Sequence, residues 1–175
     1  MKAFLFFILF FSLTTNSYSQ GEIISPKDAE IKMADLPAVV IKSVGKDFSI
    51  YLPDRNPDQG VKALQKHFIS YNLGKDYEGY DSYLVVFESA QGSLSATYNE
   101  NGKLTSVVEN YENVKLPGKV IYAIYSKYPG YTIVKDKFTY TQEQGDIKQK
   151  EYNLKIKKDN EIIKLVIKPT GEIIQ

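Results

Sequence analysis

Tyr83–Gly102 reads YLVVFESAQGSLSATYNENG, and Tyr152–Gly171 reads YNLKIKKDNEIIKLVIKPTG. In both stretches the Tyr and the turn Gly stand nineteen residues apart, and apolar residues recur at matching offsets. Phe87 corresponds to Ile156, Leu94 to Ile163, Ala96 to Leu165 and Tyr98 to Ile167. Residues that alternate apolar and polar belong to strands with one buried and one wet face, which is the pattern of an antiparallel sheet. A segment with helical spacing precedes each stretch. The expected fold is therefore α+β, with one helix-plus-antiparallel-sheet unit used twice in tandem.

Outward from that pair, the helical segments can be placed. Asn56-Pro57-Asp58-Gln59 has Asn where a helix cap belongs, Pro at the first helical position and Gln three residues after the cap. Val61, Leu64, Phe68 and Tyr71 follow at helical spacing, and Asn72-Leu73-Gly74 ends that helix. Leu116-Pro117 opens the second helix, which carries Val120, Ile121, Ile124 and Tyr128 and stops at Pro129-Gly130. Strands are expected at Ser82–Ser89, Ser93–Tyr98 and Lys103–Tyr111, turning at Gln91-Gly92 and Asn101-Gly102. In the second half they are expected at Thr132–Thr141, Glu151–Lys157 and Ile162–Lys168, with Gln142–Ile147 as a polar turn. Ala38–Val44 and Phe48–Leu52 are rich in β-branched and aromatic residues and read as a hairpin around Gly45 and Lys46.

Residues 1–19 read as a signal peptide. Lys2 is the positive n-region, Ala3–Leu13 is an apolar run, and Ser17 and Ser19 are small residues before the cleavage point, leaving Gln20 as the new N-terminus. The run is about half the ~20 residues that a spanning helix needs. The expected location is secreted or periplasmic, with no stable membrane insertion after cleavage. The expected organisation is a leader over 20–35, a first unit with its N-terminal hairpin over 36–114, and a second unit over 115–175. The chain has no Cys, so no disulfide or cysteine-linked lipid supports it.

Charge is divided. Residues 20–114 hold nine basic and fourteen acidic side chains, whereas residues 115–175 hold twelve and seven. Such a split steers partners toward either half. Arg55 is the only arginine and no basic arm exists, which argues against a nucleic-acid partner.

The motif set Val114-Lys115-Leu116-Pro117, a helix ending Tyr128-Pro129-Gly130, and three strands closing on Gly171-Glu172-Ile173-Ile174 resembles the PepSY-like proteins of Bacteroidetes envelopes. The resemblance covers residues 115–175 best and 56–110 less well. Leu73–Glu88 (LGKDYEGYDSYLVVFE) is also similar to a set of secreted flavobacterial proteins. The resemblance implies a β-lactamase-inhibitor-protein-like scaffold, a helix packed on an antiparallel sheet. It also implies a binding role, with secreted peptidases as the associated partner class, and it brings no catalytic residues. Some of these flavobacterial proteins are described as nicotinate-nucleotide adenylyltransferases. That chemistry needs a paired-His motif against phosphates, and this chain has one His and no glycine-rich phosphate loop.

The residues themselves offer little catalysis. His67 is the sole histidine and lies at the edge of the first helical stripe. There is no G-x-S-x-G elbow and no His/Cys cluster for zinc. Asp54-Arg55-Asn56-Pro57-Asp58 has calcium-like spacing, but Gly60 falls one place late and Gln65 occupies the position of the bidentate carboxylate. The best binding candidate is the loop Asp76, Tyr77, Glu78, Tyr80 and Asp81, which combines aromatic contact area with carboxylates. Lys155 and Lys157, with Lys164 and Lys168, are candidates for a basic sheet face. The expectation is a non-enzymatic secreted binding protein without cofactor or metal, whose partner is an envelope or secreted protein. The alternative is a small-molecule carrier, suggested by thirteen Tyr against four Phe after residue 19.

Overall fold

Alternation and turn chemistry produce six of the strands almost as read. In the computed structural model, which describes residues 39–43 and 48–175, a first helix, α1 (Gln59–Ser70), leads into β3 (Ser82–Ser89), β4 (Gly92–Asn99) and β5 (Leu104–Glu112). A second helix, α2 (Gly118–Lys127), leads into β6 (Thr132–Glu143), β7 (Asp146–Lys158) and β8 (Glu161–Ile167). Before them, β1 (Val40–Ser43) and β2 (Ser49–Tyr51) pair antiparallel. The expected signal peptide and leader, and the expected turn at Gly45 and Lys46, lie outside the described residues.

The fold is α+β, with two helices and one antiparallel sheet ordered β3-β4-β5-β6-β7-β8. The two halves share this sheet, because β5 and β6 pair from Ser106–Glu143 to Glu112–Lys137. Both outer hairpins have equivalent registers. Tyr83–Tyr98, Val85–Ala96 and Phe87–Leu94 are opposed in the first, and Tyr152–Ile167, Leu154–Leu165 and Ile156–Ile163 in the second. These are the positions whose offsets match in the sequence.

One sheet face is buried. Phe87, Leu94, Ala96 and Tyr98 join Phe138, Tyr140, Tyr152, Leu154, Ile156, Leu165 and Ile167 in a continuous core. Helix α1 presses Val61, Leu64 and Phe68 into it, and α2 presses Val120 and Ile124. Each such side chain contributes about 1.5–3 kcal/mol of burial relative to exposure. Ile121, which α2 also carries, is 39 % exposed. Close approach of strands constrains Gly92 (φ 151°), where an added Cβ would stand 1.9 Å from the Asn110 carbonyl oxygen.

The start of α1 differs from its expectation. Asp58, not Asn56, is the cap, and its carboxylate accepts from the backbone N–H groups of Gly60 and Val61. Asn56 is 1 % exposed; its amide donates to the Tyr152 hydroxyl, and its oxygen accepts from the Asp58 N–H. The sheet thus draws Asn56 inward, and capping passes to the next residue with a short side-chain acceptor. At the other end of α1, Lys42 of β1 donates to the carbonyls of Phe68 (2.6 Å), Ile69 (3.2 Å) and Tyr71 (2.9 Å). A cation at those carbonyls matches the negative end of the helix dipole. Burial holds the Lys42 ammonium below its ordinary pKa.

The expected polar turn Gln142–Ile147 is shorter, a Gln144-Gly145 turn between β6 and β7. Gln142 belongs to β6 and is buried. Its amide donates to the Ile50 carbonyl at 2.7 Å, while its oxygen accepts from the Leu52 N–H at 2.9 Å. The side chain therefore acts as a short surrogate strand that docks β2 onto the sheet.

Candidate functional site

The acidic tyrosine loop lies between α1 and β3 and feeds directly into that strand. Asp76, Glu78, Tyr80 and Asp81 are exposed, with Tyr80 at 58 %. Tyr77 is half-buried and lies over the Asn101-Gly102 turn, where a Cβ on Gly102 (φ 72°) would meet its ring at 2.7 Å. Tyr80 stands 5.9 Å from the Tyr83 ring. Glu78 pairs with Lys75 at 3.5 Å, an exposed contact of little energetic weight.

Strand β3 itself extends this surface. Among the described residues it pairs only with β4, so its other edge presents open backbone groups. Leu84 (59 % exposed) and Val86 (46 %) stand on the wet face. The strand has no Lys and no Pro, the residues that ordinarily guard an edge. The run Tyr83–Phe87 is apolar throughout, so the exposure of Leu84 and Val86, like the place of the strand at the edge, follows only from the structure.

Lys155 and Lys157 are exposed on β7. From β3 to β7 there are four strand spacings, roughly 19 Å. The structure therefore does not bring the loop candidates and the lysine candidates together. They form two separate surfaces of one sheet.

A third feature escaped the sequence reading. Glu109 of β5 is 0 % exposed and faces the core. One oxygen accepts from the Tyr51 hydroxyl at 2.7 Å; the other accepts from Gln65 Nε2 at 2.9 Å and the Tyr111 hydroxyl at 3.0 Å. Burial pushes the carboxyl above its ordinary pKa, and the three donations offset this only in part. The same burial raises the Tyr51 and Tyr111 hydroxyls, with Glu109 adding to it. The group is enclosed and its oxygens are occupied, so it joins the hairpin, α1 and the sheet. The signal for it was present: Val107, Glu109 and Tyr111 alternate on one face, which places the carboxylate inward.

The remaining candidate chemistry disperses. Asp54 pairs with Lys150, Asn56 binds Tyr152, and Asp58 caps α1 while also accepting from the Lys115 N–H at 2.8 Å. These three side chains serve three different partners rather than one cation. Burial alone would raise the Asp58 pKa, but N–H donations from Lys115, Val61 and Gly60, with Gln91, outweigh it and hold the carboxyl low. His67 is exposed and stacks edge-on with Phe87 at 5.2 Å. No group of three or more His, Cys, Asp or Glu able to hold a metal occurs among the described residues. No described helix is long and apolar enough to cross a membrane.

No protein-family model matches the chain, and no curated protein matches it. Among the solved structures that align with it are two crystal structures. A DUF2874 family protein from Bacteroides ovatus ATCC 8483 is 17 % identical, with 70 % of this chain and 86 % of that chain covered and a TM-score of 0.34. A DUF2874 family protein from Bacteroides uniformis ATCC 8492 is 18 % identical, with 54 % and 69 % covered and a TM-score of 0.34. The chain is thus structurally similar to DUF2874 family proteins from Bacteroides.

Proposed function

We propose that this is a secreted, non-enzymatic envelope protein that binds another protein, and that its binding surface is the open edge of β3 with the tyrosine loop. The observation that carries the reading is an unguarded edge strand bearing exposed Leu84 and Val86, continuous with exposed Tyr80. Edge strands take up an extended partner segment through main-chain hydrogen bonds, and alternate side chains supply selectivity. Asp76, Glu78, Asp81 and Glu88 make this surface acidic, so the fitting segment is extended and basic. The PepSY-like resemblance in residues 115–175 makes a secreted peptidase the partner class to try first. In the same reading, the two helix-plus-three-strand halves are tandem copies of one unit, which the equivalent hairpin registers support.

Protein binding is preferred to the carrier alternative because the hydroxyls of Tyr51, Tyr111, Tyr140 and Tyr152 have partners inside the core, which accounts for part of the tyrosine surplus. The test is capture from envelope and secreted fractions with residues 20–175 as bait, beside Tyr80→Ala and Val86→Lys. A single enriched protein lost with both variants supports the proposal. Capture that ignores both variants, or none at all, overturns it.

A further inference from the structure

The wet face of the last three strands carries three lysines in one row. Lys135 of β6 is directly opposite Lys155 of β7, which is directly opposite Lys164 of β8. Directly opposed side chains have Cβ atoms ~4.5–5.5 Å apart, and like charges so placed repel. One row along the face, Lys137, Asn153 and Val166 are likewise in register. Together these residues line an open cavity of about 350 Å³.

The row depends on a backbone irregularity. Ile133 is opposite Ile156, yet Lys135 is opposite Lys155, so Val134 is an inserted bulge residue. Without the insertion, Val134 would face Lys155 and Lys135 would point inward. Bulges re-aim side chains at a local cost to the ladder; here the result is three ammonium groups on one face.

Counter-ions are scarce. Lys135 reaches Glu112 at 3.2 Å, while Lys137, Lys155 and Lys164 have no ion-pair partner among the described residues. A bound anion would relieve this repulsion. All the cations are lysines, compact point charges suited to phosphate oxygens, and no arginine fork is present to select a planar carboxylate. We infer that this lysine cavity is a binding site for a phosphate-bearing anion, separate from the β3 surface.

The test uses residues 20–175 at low salt, with inorganic pyrophosphate as the soluble probe and phosphatidylglycerol vesicles, against phosphatidylcholine vesicles, as the lipid probe. Calorimetry should show saturable pyrophosphate binding that raises Tm, because a ligand of the native state stabilises it. Lys155→Gln with Lys164→Gln should weaken binding roughly tenfold or more. The same pair should raise the unliganded Tm, since it removes the repulsion, and circular dichroism confirms that the variant is folded. Lys157→Gln with Lys158→Gln, which lie outside the cavity lining, should bind as the parent does. Lysine-dependent binding of pyrophosphate alone assigns a soluble phosphate. Binding of phosphatidylglycerol vesicles that is lost with Lys155 and Lys164 assigns a lipid headgroup. Absence of saturable binding of either probe, or equal loss in both lysine pairs, overturns the site.

Discussion

The two edges of the sheet solve the same problem in opposite ways. At β8, Lys164 and Lys168 stand on the strand or just beyond it, and residues 172–175 fold back along it. Val166 N–H donates to the Gln175 carbonyl, Ile174 N–H returns to Val166, and Lys168 N–H donates to Glu172. At β3 no described residue covers the edge, and the exposed side chains include Leu84 and Val86. Interiors differ in the same sense. Beneath the first half, Glu109, Gln65 and two tyrosines make a polar knot that holds the β1–β2 hairpin. Helix α2, over the second half, buries only Val120 and Ile124. An edge with spare hydrogen-bonding capacity is a liability unless it is used, so the contrast separates a covered edge from one that no described residue covers.

The largest test of this contrast removes the knot. Glu109→Ala leaves a cavity and orphans the donors Tyr51, Gln65 and Tyr111, and should cost about 3–5 kcal/mol in urea unfolding. Glu109→Gln sharpens it through pH. The folded carboxyl has a raised pKa, so its favourable contribution is complete below the unfolded value, roughly pH 4, and is lost as pH climbs through the folded value. Parent stability should therefore fall relative to Glu109→Gln as pH rises above the ordinary carboxylate range. Asp58, whose pKa is depressed, acts in reverse and loses its contribution only as the solution is acidified below the ordinary carboxylate range. A parallel pH profile for parent and Glu109→Gln would show that the carboxyl is not under strain.

Lys42→Met should cost about 1–2 kcal/mol, because three carbonyls at the end of α1 lose their cation. Tyr98→Phe should be close to neutral or slightly stabilising, since the Tyr98 hydroxyl is buried without a hydrogen-bond partner. Tyr111→Phe, from the knot, should lose about 1 kcal/mol or more by the same measurement. The smallest stability effect belongs to Val86→Lys, within about 0.5 kcal/mol at an exposed site, although that change should abolish partner capture. If Val86→Lys unfolded the protein, β3 would not be the spare edge described here.

Alternation made most strands legible, and Gln91-Gly92 and Asn101-Gly102 marked hairpin turns that the structure contains. Burial of Val61, Leu64 and Phe68 followed from their helical spacing. The cap at Asp58 was misplaced because the pull of Tyr152 on Asn56 crosses 96 residues of chain. Gln142 was read as a turn residue because a lone polar side chain carries no sign that a backbone 92 residues earlier will use it. As for the binding surfaces, the exposed side chains of the tyrosine loop and Lys155 were visible by type. Tyr77 differs, because its contact with Gly102 is made only after β4 and β5 turn.

By itself the sequence determined the period of each element, the places where the chain turns, and which side chains share a face, because these depend on neighbours within a few residues. Only the tertiary structure decided that β5 and β6 join the halves, that among the described residues β3 is left open while β8 is covered, and that the Val134 bulge aligns Lys135 with Lys155 and Lys164. Those outcomes rest on pairing between distant strands. Many registers satisfy the same local alternation, and burial of one shared face selects among them.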